Sequence, residues 1–236
     1  MELNICHLYP ELLNMYGDVG NIMILKYRAR MRGITVNIHA HGIGDKPDRN
    51  NMDIVFLGGG QDFEMGIAAQ DIKSSKTQII KEYIEDGGVF LAVCGGYQML
   101  GEYYETPNKE KIEGLSILPL HTIGGEKRLT GNVLVEIDGD LCAGFENHAG
   151  RTYTSLPPLG KVLHGFGNNG EDKTEGARYK NTFCTYLHGP FLSKNPRMAD
   201  LLLKTALDRK YGDVTLQPLD DIFENAALES VVNRFS

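Results

Sequence analysis

Two short apolar runs, each followed directly by glycines, constrain the fold of this chain more than any other feature. Residues 53–57 (DIVFL) are followed by three glycines, and residues 89–93 (VFLAV) are followed by a cysteine and two glycines. A strand that is apolar on both faces is typical of a parallel sheet covered by helices on both sides. Because strand and helix patterns alternate through the first half, the sequence predicts an α/β fold with a mostly parallel central sheet flanked by helices.

Turn and capping signals place the remaining elements. Asp18 is a suitable N-cap for a helix that runs to about Arg32, where Gly33 supplies a left-handed stop. Over residues 115–187 the apolar runs are short and separated by glycine, asparagine and proline, which indicates additional strands in the second half. Strands are expected at 2–8, 34–39, 53–57 and 89–93, and helices at about 18–32, 67–86, 195–210 and 219–234.

Charge and hydropathy exclude several classes of partner. The chain has 236 residues and a formal net charge of -7, and an acidic surface repels nucleic acid. No apolar run approaches the roughly 20 residues that span a bilayer, and the N-terminus lacks the basic region of a signal peptide. The length suits one domain over residues 1–236, with a core of about 2–205 and a C-terminal helical extension.

The cysteines are scattered, without a CxxC pair or the short Cys and His spacings of zinc sites. We therefore expect free thiols, a cytoplasmic location and no metal ion. Three of the four cysteines lie within or beside apolar runs and are expected to pack as small hydrophobic side chains. These are Cys6, Cys142 and Cys184.

Cys94 has a different setting, between the strand at 89–93 and the segment GGYQ, where a helix is expected to begin. A strand–turn–helix connection of this kind exposes a nucleophile on a sharp bend, and the helix N-terminus favours a thiolate. Burial as a packing residue is the alternative for any lone cysteine. The elbow favours a catalytic nucleophile.

A cysteine nucleophile needs a base, and His188 is the best candidate. It follows the apolar run TFCTYL and precedes Gly189 and Pro190, so it also lies at a strand end beside a tight turn. A packing role is the alternative for an isolated histidine, but the pairing with Cys94 favours catalysis. The same setting is missing at His7, His39, His41, His121 and His164.

The glycines after residues 53–57 provide a third element. Backbone N–H groups without intervening side chains can approach a substrate closely. Gly59 and Gly60, with Gly95 after the cysteine, are therefore candidates for an oxyanion hole. A triple glycine alone could also be a plain turn or a phosphate loop, although the Lys-Ser/Thr of a P-loop is missing.

Together these segments resemble the class I glutamine amidotransferases, which implies a flavodoxin-like sheet with additional strands in the second half. The resemblance covers essentially the whole chain. It is carried by LGGG (57–60), VCGGYQMLG (93–101) and YLHGP (186–190), and GFENHAGRTY (144–153) is similar to the CobB/CobQ branch. Segments similar to the glutaminase subunits of lipid II isoglutaminyl synthases are YPELLNMYGDVGN (9–21), RLTGNV (128–133), HGFGNNGEDKTEG (164–176) and YLHGPFLSKNP (186–196).

This resemblance implies a glutaminase that forms a heterodimer with a Mur-ligase-like subunit and needs no cofactor of its own. The partner would bind ATP and Mg²⁺ and activate the D-glutamate of the lipid II stem peptide, and ammonia from glutamine would convert it to D-isoglutamine for peptidoglycan. Carried over by position, Cys94 is the nucleophile, His188 is the base and Arg128 holds glutamine. A planar guanidinium suits that role because it can pair with a carboxylate through two hydrogen bonds.

One position departs from the family pattern. The usual triad has a glutamate two residues after the histidine, where this chain has Pro190. We therefore expect the orienting carboxylate to come from the partner subunit, or else from a distant residue such as Glu146. Two other interpretations remain open: a Cys-His hydrolase of the same fold that does not use glutamine, and a non-catalytic subunit that binds the ligase.

Overall fold

The chain forms two β-sheets, called sheet A and sheet B, in a computed structural model that describes residues 1–235. The strands are β1 (Glu2–Leu8), β2 (Thr35–His41), β3 (Ile54–Leu57), β4 (Val89–Val93), β5 (Tyr103–Glu105), β6 (Lys111–Glu113), β7 (Leu120–Ile137), β8 (Asp140–Thr154), β9 (Gly160–His164), β10 (Thr174–Glu175), β11 (Ala177–Tyr179) and β12 (Thr182–Thr185). The helices are α1 (Val19–Arg30), α2 (Asp62–Ser75), α3 (Thr77–Glu85), α4 (Gly95–Met99), α5 (Pro196–Tyr211) and α6 (Ile222–Val232), with short 3-10 turns at Met15–Gly17, Arg49–Asn51 and Phe191–Ser193.

Sheet A contains the apolar runs that the sequence predicts as buried strands. Its order is β11-β12-β4-β3-β1-β2, and β12, β4, β3, β1 and β2 run parallel. Only β11, at the edge, is antiparallel to its neighbour. Every residue of β3 and β4 is buried, as expected for central strands of a covered parallel sheet. The predicted α/β fold class is thus confirmed, and the carboxyl ends of five strands lie at one edge.

Sheet B has the order β10-β9-β7-β5-β6, with β8 paired to β7. Its strands β7 to β10 lie within residues 115–187, where the sequence predicts additional strands. The long antiparallel hairpin of β7 and β8 turns at Asp138 and Gly139, both of which have positive φ, as tight hairpin turns require. Its register shifts between Gly124 and Leu129. A bulge at this point re-aims the intervening side chains, and Arg128 is one of them.

Charged contacts join the first helix to the end of the chain. Arg28 of α1, only 2% exposed, donates to both oxygens of Asp200 in α5 and also to Asp221, directly before α6. Arg32 donates to the same Asp200 carboxylate. Such a paired, buried guanidinium fixes the C-terminal segment against the face of α1.

The predicted helix over 67–86 is wrong in one respect, because the structure has two helices there. They are separated at Lys76, whose φ and ψ of -124° and -12° are not helical. The side chain of Lys76 is fully buried, and its ammonium group is paired with Asp71. Among residues 1–235, no helix combines the length and apolarity that crossing a bilayer demands.

Candidate active site

Cys94 lies on the sharp bend between β4 and α4, with φ and ψ of 51° and -105°. Its amide donates to the Thr185 carbonyl, which ties the bend to the neighbouring parallel strand β12. The side chain is 6% exposed. A Cβ on Gly96 would lie 2.4 Å from the carbonyl oxygen of Leu57, so only glycine permits the helix to approach β3 this closely. The glycine-rich elbow is therefore a packing requirement of the fold as well as a way to present the sulfur.

His188 reaches the same place from the end of β12. Its backbone pairs with Phe145 of β8 through two hydrogen bonds, of 2.8 and 3.1 Å, which fixes the residue between the two sheets. A Cβ on Gly59 would lie 3.1 Å from Cys94 Cβ and 3.2 Å from His188 Cε1. The two side chains thus converge over a bare glycine, although they are distant in sequence.

Asp18 supplies the carboxylate that orients this imidazole. Its Oδ1 lies 3.0 Å from His188 Nδ1, and both side chains are fully buried. Oδ2 accepts a hydrogen bond of 3.0 Å from the Gly59 amide. The side chain does not cap α1 as predicted, since Asn14 Oδ1 accepts the hydrogen bond from the Val19 amide instead.

Of the two expected sources of that carboxylate, the distant residue Glu146 is wrong. Glu146 accepts hydrogen bonds from the amides of Phe166 and Gly167, so its oxygens are already engaged elsewhere. Nδ1 of His188 contacts Asp18 of its own chain, and a carboxylate from the partner subunit stays a prediction. Pro190 occupies the usual glutamate position and packs against Gly20, where a Cβ would meet the proline ring at 2.2 Å. This close contact brings the start of α1 next to His188.

The electrostatic environment keeps His188 protonated. Burial lowers the pKa of His188, but the charge of Cys94 and the hydrogen bond with Asp18 outweigh it and raise the pKa to about 10. Nε2, the other ring nitrogen, is buried and has no hydrogen-bond partner within residues 1–235. A charged imidazole next to a cysteine stabilises the thiolate, which is the reactive form of the sulfur.

The oxyanion-hole prediction needs one correction. Because the Gly59 amide donates to Asp18, it supports the triad carboxylate and is not available to a substrate oxygen. Gly60 and Gly95 lie next to each other, since a Cβ on Gly95 would be 3.2 Å from the Gly60 nitrogen. Gly95 is the first residue of α4, and the amides of a first helical turn have no partner within the helix. These two amides therefore remain candidates for holding an oxyanion.

A cavity of about 350 Å³ opens beside the sulfur of Cys94. Arg128, at the bulge of β7, lies at its rim, where Nε donates to Asn147 Oδ1 at 2.6 Å and a terminal nitrogen donates to the Asn147 carbonyl at 2.7 Å. The guanidinium is thus held in one orientation although the residue is exposed. The other lining side chains include Met15, Asp62, Gln98, Tyr104, Asn147 and His148.

The sequence matches the model of the CobB/CobQ-like glutamine amidotransferase domain over residues 4–196. The chain belongs to this family. Among curated relatives, it is 44% identical over 234 residues to the lipid II isoglutaminyl synthase (glutamine-hydrolyzing) subunit GatD of Streptococcus pneumoniae, covering 97% of this chain and 90% of the relative. It is 43% identical to the subunit of the same name from Staphylococcus aureus, covering 99% and 96%.

Solved structures support the fold of this amidotransferase. The PurLQS structure from Thermotoga maritima contains a chain that matches with a TM-score of 0.58 and 14% identity, over 89% of this chain and 99% of that one. A second structure, described as a glutamine amidotransferase, matches with a TM-score of 0.56 and 14% identity, over 85% and 98%. At such identities the likeness establishes the fold alone. The expected class I glutamine amidotransferase fold is confirmed.

Sequence reasoning missed two polar residues of this amidotransferase site, Asp18 and Asn147. Both lie in segments that carry the family resemblance, MYGD and GFENHAGR. The signal was present, but Asp18 directly precedes a helix and was assigned to capping. Asn147 has no local pattern that points to Arg128, because their contact depends on the pairing of β7 with β8.

Proposed function

We propose that this chain is the glutaminase subunit of a lipid II isoglutaminyl synthase. The observation that carries the proposal is the convergence of Cys94 and His188 over Gly59, with Asp18 on the far side of the imidazole. A thiol, an imidazole and a carboxylate in this order form the triad that activates a cysteine nucleophile. Both relatives described above are named as subunit GatD of that glutamine-hydrolyzing synthase, which supports glutamine as the substrate.

The first half of the reaction releases ammonia. The Cys94 thiolate attacks the side-chain carbonyl carbon of glutamine, and the electron pair moves to oxygen, where the amides of Gly60 and Gly95 stabilise the anion. His188, protonated at neutral pH, donates a proton to the leaving nitrogen. The carbon–nitrogen bond breaks, ammonia leaves, and a glutamyl thioester on Cys94 remains.

The second half regenerates the enzyme. His188, now neutral, accepts a proton from water as the water oxygen attacks the thioester carbonyl. Collapse of the second tetrahedral anion breaks the carbon–sulfur bond, so glutamate leaves and the thiolate and imidazolium pair is restored. Asp18 keeps the imidazole in one orientation through both halves and stabilises its positive charge.

Arg128 gives the site its preference for an amino acid with a free carboxylate. Its guanidinium is held at the cavity rim by Asn147, which leaves one terminal nitrogen to pair with the α-carboxylate of glutamine. No cofactor is proposed in this chain, because the chemistry requires only proton transfers and an anion stabilised by amides.

The ammonia would serve a Mur-ligase-like partner in a heterodimer. That partner would bind ATP and Mg²⁺, form an acyl phosphate on the α-carboxyl of D-glutamate in the lipid II stem peptide, and accept ammonia to give D-isoglutamine. Because the partner would need ATP, we expect the complex in the cytoplasm. Because Asp18 completes the triad within this chain, we propose that the isolated chain retains a basal glutaminase activity.

The experiment follows the amide nitrogen of glutamine. The chain and its ligase are incubated with ATP, Mg²⁺, lipid II and glutamine labelled with ¹⁵N in the side-chain amide, and the stem peptide is analysed by mass spectrometry. We expect the label in D-isoglutamine, and no label when Cys94→Ala replaces the native chain. Transfer of label by the Cys94→Ala chain, or labelled ammonia without amidated lipid II, would contradict the proposal.

A further inference from the structure

Tyr16 lies across the site, two residues before Asp18, in the segment between β1 and α1. Its ring centroid is 4.9 Å from that of His188, with the planes inclined at 65°, and 6.2 Å from the ring of Phe145. The side chain is still 44% exposed, so it covers the imidazole from the solvent side. It is not part of the cavity wall next to the sulfur.

The hydroxyl of Tyr16 reaches a second functional group. It accepts a hydrogen bond from Asn147 Nδ2, and Asn147 Oδ1 in turn accepts from Arg128 Nε. The ring of Tyr16 therefore contacts His188, and its hydroxyl contacts Asn147, the residue that holds Arg128. A continuous chain of contacts leads from His188 to the guanidinium.

The backbone of Tyr16 is in an unfavourable conformation for its side chain. Its φ and ψ of 55° and 21° lie in the left-handed region, where glycine and asparagine are tolerated and other residues are strained. A strained residue persists only where its surroundings hold it. Here the contact of the ring with His188 and the hydrogen bond from Asn147 hold Tyr16 in this conformation.

We propose that Tyr16 is a positioning residue of the glutaminase site, whose ring holds His188 in place and whose hydroxyl holds Arg128 through Asn147. The inference rests on the proposed roles of those residues. The inference gives the hydroxyl and the ring different roles. Loss of the hydroxyl weakens substrate binding, and loss of the ring also slows the chemical step.

The test uses a glutamine analogue, 6-diazo-5-oxo-norleucine, which alkylates the nucleophile of glutaminases. The full chain is inactivated at increasing concentrations, giving an apparent binding constant KI and a limiting rate constant kinact, and mass spectrometry locates the label. Cys6 and Cys142 do not interfere, because burial raises the pKa of each thiol to about 12. Iodoacetamide, which does not need Arg128, reports the reactivity of the sulfur alone.

We expect Tyr16→Phe to raise KI by about 3- to 10-fold, the effect of one hydrogen bond, with kinact and the iodoacetamide rate unchanged. Tyr16→Asn suits the backbone conformation but removes the ring, so it should also lower kinact by about 2- to 10-fold. Asn147→Ala should reproduce the change in KI, and Tyr16→Phe should add nothing to it, because both act through one contact. These differences do not depend on global stability.

Tyr27 of α1 provides the matched control, since it is 45% exposed, close to the value for Tyr16. Tyr27→Phe and Tyr27→Asn should leave KI and kinact unchanged, and thermal unfolding shows whether each variant is folded. A KI for Tyr16→Phe within twofold of the native value would overturn the role of the hydroxyl. Equal kinact values for Tyr16→Phe and Tyr16→Asn would overturn that of the ring. A native chain that the analogue fails to label at Cys94 would instead overturn the proposed function.

Discussion

The imidazole of His188 lies between two groups that favour its positive charge, the carboxylate of Asp18 and the sulfur of Cys94. Their combined effect exceeds the opposing effect of burial and raises the pKa of His188 to about 10. At neutral pH the resting imidazole is therefore protonated. The proton needed by the leaving ammonia is in place before glutamine binds.

Removing the charge of Asp18 should change the pH dependence of the reaction. In Asp18→Asn the amide can still accept from Gly59, but a neutral side chain favours the imidazolium less, so the pKa of His188 falls. Activity requires the protonated form, so the alkaline limb, expected near pH 10 in the native chain, should move to lower pH. The rate at pH 7.5 should fall about 10²–10⁴-fold, the usual range for acid–base catalysis. Ammonia release measured from pH 6 to about 10.5 tests both effects.

A surface aspartate serves as the control for Asp18. Asp138 is exposed and pairs with Arg178 away from the site, so Asp138→Asn should keep the native pH profile. If Asp18→Asn kept the native alkaline limb, then Asp18 would not set the pKa of His188. A third carboxylate supplied by the partner would then have to be reconsidered.

Local sequence patterns were sufficient to identify Cys94 and His188. Cys94 and His188 were selected because each follows a predicted strand and precedes a glycine turn, a local signal that survives without tertiary information. Asp18 lies 170 positions from His188, and its local pattern suggested a helix cap. A contact of such separation leaves no trace in local periodicity.

Among the elements, the β4–α4 elbow shows why some glycines are required and others are not. Gly96 has no room for a side chain, because a Cβ would lie 2.4 Å from the Leu57 carbonyl oxygen. Gly66, inside α2, has nothing within 4 Å of a Cβ. Glycine within a helix costs about 0.5–1 kcal/mol relative to alanine, so this position is not optimised for stability.

The two glycines should respond to alanine with opposite signs. Gly96→Ala must move backbone and should destabilise the chain by about 1–3 kcal/mol, while Gly66→Ala should stabilise it by about 0.5–1 kcal/mol. Urea unfolding measures both free energies. Gly66→Ala is the control for replacing a glycine by alanine where no neighbouring atom is in the way. A stability of Gly96→Ala equal to the native value would show that the elbow can relax, against the close packing described above.

Prediction of elements succeeded where the apolar pattern was uninterrupted. The bounds of β4 agree with the predicted strand at 89–93, since a run of five buried residues ends directly at the cysteine. The prediction of one helix over 67–86 was wrong at Lys76, where the chain leaves the helical conformation and the side chain is buried. Sequence reasoning expects a lysine on the surface of a helix and therefore gave no sign of a break. Its burial depends on the ion pair with Asp71 and on the ring of Tyr9, which the periodicity of one helix does not reveal.

At the scale of the whole molecule, the catalytic edge of sheet A is completed by sheet B. Arg128 and Asn147 come from β7 and β8, whereas Cys94 and His188 follow β4 and β12. The sequence predicts extra strands in this half, but not their pairing, because short runs between turns fit several registers. The placement of Arg128 therefore could not be worked out from the residues and rested on the family resemblance.

A buried acid joins the two sheets. Glu175 of β10 is fully buried, and its Oε1 accepts hydrogen bonds from the Tyr186 amide at 2.6 Å and the Thr185 hydroxyl at 3.0 Å. Burial, and to a smaller extent the charge of Glu146, raises the pKa of Glu175 to about 8. The two hydrogen bonds oppose this shift. The junction between the sheets is therefore mostly protonated at neutral pH.

This junction should make stability depend on pH. The folded chain binds a proton at Glu175 that the unfolded chain, with a pKa near the ordinary 4.5, releases, so the stabilisation is complete below about pH 4.5 and is lost as pH rises through about 8. Glu175→Gln keeps the shape and stays neutral, so the native chain should lose stability relative to this variant between pH 5 and about 9. Urea midpoints across that range measure the difference, and Glu171→Gln on the exposed loop is the control. Burial lowers the pKa of His7 to about 4, so the contribution of His7 to stability is lost as pH falls. This loss is the same in the native chain and in Glu175→Gln, so it cancels in the comparison. Parallel pH profiles for the native chain and Glu175→Gln would mean that Glu175 is ionised in the folded state, and that the contact between the sheets is more hydrated than its burial indicates.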